Sequence, residues 1–197
     1  MVYLYATDIS ALSDPLDCPE ILEGLPVERQ RKILSAKQKQ NRLQSLGAGL
    51  LLNQVLCRHG ISKDTLGKDA NGKPTVDGIC FNLAHSGNYV ICAVSEGPVG
   101  CDIEQIKDAP KRVAERSFSA EENAHLEQFA GDAYNREFFR IWTKKESYLK
   151  MTGIGIRVPL NTLELKGCYL QEYEIPGYQV TVCAEEHAFA ELSRIEI

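Results

Sequence analysis

The strongest constraint on the fold is that the two halves of the chain contain similar short segments in the same order. Each half has near its start a strand-like segment containing Asp-Ile, at 5–9 and at 99–103, followed by helical segments. Each half also has a later β-rich segment, at 87–93 and at 177–184. The matches are short, so chance similarity is the alternative to duplication. Duplication predicts an α+β fold of two pseudo-symmetric lobes, each a small antiparallel sheet packed with helices, with a ligand cleft between the lobes.

Gly97-Pro98 interrupts the chain near its middle and predicts lobes at 1–97 and 98–197. The first lobe is predicted to contain strands at 2–9, 79–83 and 89–94, a hairpin connection at 85–88, and a helical stretch over about 27–59, broken near Ser35 or Gly47. The second is predicted to contain strands at 99–106, 163–165 and 180–184, a short helix begun by a capping box at 119–122, and a helix over 134–151 closed by Gly153.

Composition excludes several classes of protein. The 44% hydrophobic and 25% charged residues are ordinary globular values, and the net charge of −5 argues against a general nucleic-acid binder. The seven cysteines are odd in number and form no Cys-x-x-Cys pair, which argues against a disulfide framework or structural zinc. There is no apolar run of about 18 residues and no basic N-terminal region, so we predict a cytoplasmic protein without a membrane span.

Asp102 and Glu104 are two residues apart on a predicted strand, so their carboxylates share one face while Val99, Cys101 and Ile103 face the core. Side-by-side carboxylates repel each other unless a cation lies between them or both face water. From this pair alone, a solvated strand face and a cation site both remain open.

The helix over 134–151 adds a third carboxylate. Its apolar residues have helical spacing, and the stripe should also include positions 145 and 146, which are Lys145 and Glu146. Lys150 follows Glu146 by four residues, so a local ion pair between them is the alternative explanation. Three carboxylates with two lysines indicate Mg²⁺ beside a phosphate, and hence phosphoryl-type transfer or hydrolysis.

Other polar residues have both ordinary and functional interpretations. Lys73 follows the turn Asn71-Gly72, where a lysine is usually solvated, and His85 is a lone histidine that is more often structural. A basic run in the first lobe is usually a solvated helix face, although in an acidic protein it suits an anionic ligand. This run consists of Arg29, Arg31, Lys32, Lys37, Lys39 and Arg42.

Taken in order, four motifs resemble those of the 4′-phosphopantetheinyl transferases of the two-lobed, surfactin-synthetase-activator type. The motifs are Gly72-Lys73-Pro74, 82–87, 99–104, and 142–147 with Lys150. The resemblance covers roughly residues 3–185 and is strongest over 71–155. It implies an enzyme that transfers 4′-phosphopantetheine from coenzyme A to a serine of an apo acyl or peptidyl carrier protein and releases 3′,5′-ADP.

The resemblance implies that Asp102, Glu104 and Glu146 hold Mg²⁺ against the pyrophosphate of coenzyme A. Lys150 would contact the phosphates, and Lys145 would support the site or the ligand. The carrier serine would attack the β-phosphate, and Glu146, directly or through a metal-bound water, would be the base.

The first lobe is expected to bind the other end of coenzyme A. The resemblance implies that Lys73 and His85 meet the 3′-phosphoadenosine group. Arg42 is the best additional candidate among the basic residues, followed by Arg29 and Arg31.

The chain departs from the family pattern at Ala84, where serine is common, at Cys101, where isoleucine or valine is usual, and at Thr75, where an aromatic residue is common. A hydroxyl contact to the ligand is therefore missing at position 84. The competing hypotheses are a non-catalytic module that binds coenzyme A or a carrier protein, and another Mg²⁺-dependent phosphohydrolase. One chain can supply both halves of the cleft, so we predict a monomer, with no nucleic acid and no membrane as partner.

Overall fold

The computed structural model describes residues 1–68, 74–155 and 158–197. These residues form two main sheets, a short two-stranded ribbon and helices. The strands are β1 (Val2–Asp8), β2 (Gly67–Lys68), β3 (Pro74–Thr75), β4 (Cys80–Ser86), β5 (Tyr89–Ser95), β6 (Val99–Gln105), β7 (Tyr169–Ile175), β8 (Tyr178–Ala184) and β9 (Phe189–Arg194). The α-helices are α1 (Val27–Ser35), α2 (Lys39–Arg58), α3 (Lys111–Ser117), α4 (Ala120–Leu126) and α5 (Gly131–Thr152). The mixture confirms the predicted α+β class.

The first main sheet has the strand order β4-β5-β1-β9, and the second has the order β6-β8-β7. All pairs are antiparallel except β1 with β9, which is parallel. The prediction of antiparallel sheets is therefore confirmed, apart from this parallel pair at one edge. The strand β9, from the end of the chain, pairs with β1 and so completes the sheet of the first half. The division into lobes at 97/98 stays a prediction.

The two sheets pack directly against each other. Alternate residues of β1 and β5, such as Leu4 and Ile91, share one buried cluster with Val99, Cys101 and Ile103 of β6. The opposite face of the first sheet packs on α2, and the opposite face of the second packs on α5. The period of two along a strand thus produces four layers, helix–sheet–sheet–helix. The region between the sheets is a core filled by apolar side chains and not an open cleft.

The predicted helical stretch at 27–59 is broken near Ser35, as expected, and continues through Gly47. Glycine is required at position 47 for close packing, because a Cβ there would lie 2.4 Å from Ile9 Cγ2 and 3.3 Å from Val90 Cγ2. The capping box at Ser119 and the left-handed end of α5 at Gly153 are both confirmed.

Two local predictions are wrong. The segment 163–165 is not a strand, and the strand of this region is β7 instead. The hairpin connection is shorter than predicted, because β4 continues through His85 and Ser86 and only Gly87 and Asn88 form the turn. No helix in the described part of the chain is both long and apolar enough to cross a bilayer.

Candidate active site

Strand β6 turns Val99, Cys101 and Ile103 towards the first sheet, so the alternate residues, including Asp102 and Glu104, lie on the face that contacts α5. Gly100 makes this contact possible, since a Cβ at that position would lie 2.0 Å from the backbone oxygen of Ser147 and 2.4 Å from the backbone nitrogen of Met151. Asp102 lies on the same face of β6 and is only 5% exposed. The solvated-face interpretation is therefore wrong for Asp102, which is enclosed between strand and helix.

Lys150 is the direct partner of Asp102. Its ammonium donates a hydrogen bond of 2.6 Å to Asp102 Oδ1. The other oxygen, Oδ2, is buried and has no hydrogen-bond partner among the described residues. A buried carboxylate oxygen without a donor is unfavourable unless a proton or a cation satisfies it. Lys150 therefore pairs with Asp102 on β6, whereas the alternative explanation from the sequence had it pair locally with Glu146.

The electrostatics of the site link all three predicted carboxylates. Burial raises the pKa of Asp102 to about 7, against the opposing charge of Lys150, and the negative charges of Glu104 and Glu146 add to the rise. Burial also raises the pKa of Glu146, opposed by Lys150 and reinforced by Glu104. Burial disfavours the charged form of Lys150, but Asp102 and Glu146 outweigh it and raise its pKa. Four of the five charged side chains that the sequence grouped around a cation therefore act on one another, whereas the fifth, Lys145, pairs with Glu122 instead.

The carboxylates do not form a ready-made metal site. In the segments that the structure describes, no group of three or more histidine, cysteine, aspartate or glutamate side chains could hold a metal ion as it stands. Lys150 occupies one oxygen of Asp102, and Ser86 donates a 2.9 Å hydrogen bond to Glu104 Oε2. The donor set nevertheless suits a hard cation, because it consists of carboxylate oxygens and includes the unsatisfied Oδ2 of Asp102.

Positive groups from two helices act on His85. Partial desolvation lowers the pKa of His85 from its usual value, and the charges of Lys150 on α5 and Lys32 on α1 lower it further. Because Ala84 and Ser86 face the second sheet, His85 on the alternate face is turned towards the helices of the first half. These cations form an electropositive environment beside the carboxylates, which suits an anionic ligand.

Arg29 and Lys32 line a cavity of about 280 Å³ between α1, α2 and the β2–β3 ribbon. Leu25, Gly49 and Pro74 also line it. Lys73, the residue before Pro74, lies outside the described residues. Within the basic run, Lys32 both lines this cavity and lowers the pKa of His85, whereas the favoured candidates from the sequence were Arg42, Arg29 and Arg31.

Comparison with known proteins agrees with the motifs. The model of the 4′-phosphopantetheinyl transferase superfamily matches residues 98–194, which include β6 and α5. The 4′-phosphopantetheinyl transferase psf-1 of Bacillus pumilus is 37% identical over 169 residues, which are 72% of this chain and 72% of that protein. The chain belongs to the 4′-phosphopantetheinyl transferase superfamily. It is also 29% identical to 4′-phosphopantetheinyl transferase Sfp of Bacillus subtilis (strain 168) over an alignment of 187 residues. This alignment covers 83% of this chain and 84% of that protein.

In this transferase-superfamily chain, Lys145 has a structural partner that the sequence analysis missed. Lys145 is buried as predicted, at 1% exposure, and its ammonium contacts Glu122 Oε2 at 2.9 Å and the Leu160 carbonyl oxygen at 2.8 Å. Glu122 Oε2 also accepts the Ser119 backbone N–H of the capping box. Lys145 therefore joins α5 to the start of α4, and a contact with the ligand remains a prediction.

Arg42 is held within the fold of this superfamily member. It is 7% exposed, and its guanidinium donates to Asp14 at 2.8 Å and 2.5 Å and to the carbonyl oxygens of Ala36 and Lys37. Arg42 is thus engaged within the fold, and the contact with the ligand for which it was the best additional candidate stays a prediction. The sequence indicates Glu122, because the Ser-x-x-Glu spacing is typical of a capping box. It does not indicate the ion pair between Arg42 and Asp14, because the two residues lie 28 positions apart.

We expect Arg42→Lys to lower the melting temperature by roughly 5 °C, because lysine lacks the planar fork that bridges Asp14 and two carbonyl groups. The exposed Arg31→Lys is the matched control and should leave the melting temperature unchanged. The Arg42 hydrogen bond lowers the pKa of Asp14 to about 2. A depressed acid pKa stabilises the fold above the unfolded value near 3.8, and that contribution disappears as pH falls through about 2. Equal melting temperatures for Arg42→Lys and Arg31→Lys at neutral pH would contradict the stabilising role of the Arg42 bridge.

Proposed function

We propose that the chain transfers the 4′-phosphopantetheine group of coenzyme A to a serine of an apo carrier protein and releases 3′,5′-ADP. The relatives named as 4′-phosphopantetheinyl transferases, which align over most of their own length, support this activity. The observation that carries the assignment to this site is the buried Asp102, paired with Lys150 through one oxygen and unsatisfied at the other.

Asp102, Glu104 and Glu146 would hold Mg²⁺, and when bound the ion would neutralise charge on the pyrophosphate of coenzyme A. Carboxylate oxygens in small number suit Mg²⁺, which usually keeps waters and shares substrate phosphates. The raised pKa of Asp102 and of Glu146 supports this proposal, because each rise contains a contribution from the neighbouring negative charges that a cation would compensate.

Lys150 and the cations near His85 would bind the phosphates. A lysine ammonium acts on phosphate as a point charge, and Lys150 already lies at the carboxylates. Lys32 belongs both to the electropositive environment of His85 and to the cavity beside α1. Because Lys32 belongs to both places, we place the 3′-phosphoadenosine end of coenzyme A towards that cavity. Arg29 and Lys73 are further candidates to contact its phosphate.

Glu146 is the proposed general base. It would accept the proton of the carrier serine while a bond forms between the serine oxygen and the β-phosphorus. The bond between that phosphorus and the oxygen of 3′,5′-ADP breaks, and the leaving group keeps the electron pair. Burial raises the pKa of Glu146 above its usual value, which makes it a better proton acceptor than an exposed glutamate. The step needs no covalent enzyme intermediate.

We place the reaction in the cytoplasm, with one chain as the active unit and neither nucleic acid nor membrane as partner. The first half, residues 1–97, would meet the adenosine end, and the second half would provide the carboxylates and Lys150. Position 84 lacks the hydroxyl that is common in the family, and Ala84 itself is buried between the sheets.

The test is to incubate the protein with coenzyme A, Mg²⁺ and each of several apo carrier proteins, and to measure the intact mass of each carrier. We expect at least one carrier to gain the mass of phosphopantetheine. Binding of coenzyme A with every carrier mass unchanged would replace the transferase with the binding module. Release of 3′,5′-ADP in the absence of any carrier would instead indicate a phosphohydrolase.

A further inference from the structure

The turn between β4 and β5 brings the first sheet to the carboxylates of the second. Ser86, the last residue of β4, donates a hydrogen bond of 2.9 Å to Glu104 Oε2. The backbone N–H of Gln105 donates to the same Ser86 hydroxyl oxygen at 3.1 Å. One hydroxyl therefore contacts two successive residues of β6, one through its hydrogen and the other through a lone pair.

This arrangement fixes the direction of the hydroxyl. A serine hydroxyl has a single hydrogen, and the carboxylate of Glu104 is the acceptor within reach, while Gln105 N–H can only donate. The hydrogen bond therefore restrains Glu104 Oε2 and leaves Oε1 for another partner. A bond to a charged group is also stronger than one between neutral groups.

The turn that follows Ser86 is held in place by hydrogen bonds from two other elements, α2 and β8. The carbonyl oxygen of Gly87 accepts hydrogen bonds from Gln40 and Gln44 of α2. The backbone N–H of Asn88 donates to Tyr178 Oη of β8 at 3.1 Å. Gly87 has a φ of 51°, and a Cβ there would lie 2.4 Å from Tyr178 Oη, so glycine is required by both conformation and space.

We infer that Ser86 is a positioning residue that holds the Glu104 carboxylate in the orientation needed to bind the divalent cation, and so couples the first sheet to the active site. This inference rests on the proposed function for the identity of the site. Groups that hydrogen-bond a metal-binding carboxylate orient it, and their removal typically costs about 10- to 100-fold in metal affinity or activity. The polar contacts from α2 and β8 give the hydroxyl a fixed position from which to act.

The experiment compares Ser86→Ala with the wild-type protein in two measurements. The first is binding of Mn²⁺ alone, followed by electron paramagnetic resonance without coenzyme A or carrier. The second is the Mg²⁺ concentration that gives half-maximal transfer. We expect both the Mn²⁺ dissociation constant and the half-saturating Mg²⁺ concentration to rise by about tenfold. Ser86→Thr, which keeps the hydroxyl and suits a strand, should restore most of the affinity.

Ser95 provides a matched control, because its hydroxyl donates a 2.7 Å hydrogen bond to Glu186 Oε1, away from the three carboxylates. Ser95→Ala should leave both metal measurements unchanged. Unchanged Mn²⁺ affinity in Ser86→Ala would overturn the inference, as would equal losses in Ser86→Ala and Ser86→Thr. If the wild type binds Mn²⁺ but modifies no carrier, the proposed function fails, while the Mn²⁺ comparison still tests Ser86.

Discussion

Replacing Glu146 with Gln is expected to slow transfer by about 100-fold or more while the protein stays folded. Glutamine keeps the size of the side chain but can neither accept the serine proton nor contribute a negative charge to the cluster with Asp102 and Glu104. The charges that raise the pKa of Asp102 include that of Glu146, so the change also removes a repulsion and should not destabilise the fold. The measurements are the initial rate of carrier modification and the melting temperature.

Glu137→Gln is the matched control for this change. Glu137 lies on the same helix, where it pairs with Arg140 of α5 and His125 of α4 and not with the three carboxylates. We expect that variant to transfer at close to the wild-type rate. A rate for Glu146→Gln within about threefold of the wild type would remove Glu146 from both of its proposed roles.

Gly100→Ala is expected to cause a large loss of both stability and activity. The added methyl group would lie 2.0 Å from the Ser147 carbonyl oxygen and 2.4 Å from the Met151 amide nitrogen, and both are backbone atoms of α5. A helix backbone cannot yield as a flexible side chain can, so α5 must move away from β6. We expect the free energy of unfolding to fall by about 3 kcal/mol, which is the upper end of the usual range for overpacked cores. Denaturant titration measures this change.

The same movement separates Lys150 from Asp102, which lies two residues further along β6. A displacement of about 1 Å at a catalytic group can cost about 100-fold in rate, and we expect a loss of that order in the folded fraction of Gly100→Ala. Gly97→Ala is the control, because a Cβ there would meet Glu186 Oε1 only at 3.9 Å, an ordinary van der Waals contact. Wild-type stability in Gly100→Ala would contradict the close contact between β6 and α5.

The features of the site that could be predicted from sequence are those set by local periodicity. Alternation along β6 separates Asp102 and Glu104 from the core residues, and the interruption of the apolar stripe on α5 singles out Lys145 and Glu146. These positions depend on spacing within one element, so the sequence carries them directly. The motif glycine at position 100 was also visible, but its role requires knowing that α5 packs on that strand.

The features that could not be predicted depend on contacts between distant segments. Asp14 and Arg42 are joined across 28 residues, and β9 pairs in parallel with β1 from the opposite end of the chain. The interaction of Ser86 with Glu104 likewise depends on the packing of one sheet against the other. A basic run marks several candidates equally, and only the fold shows that Arg42 is enclosed while Lys32 acts on His85.

The central claim is that the buried carboxylates and Lys150 support transfer of phosphopantetheine to a carrier, with a divalent cation. The most direct measurement quantifies modified carrier and 3′,5′-ADP in one reaction, with Mg²⁺ and again with a chelator. We predict equal amounts of the two products with Mg²⁺ and neither product with the chelator. Modification that continues undiminished in the chelator, or 3′,5′-ADP that forms without modified carrier, would contradict the account.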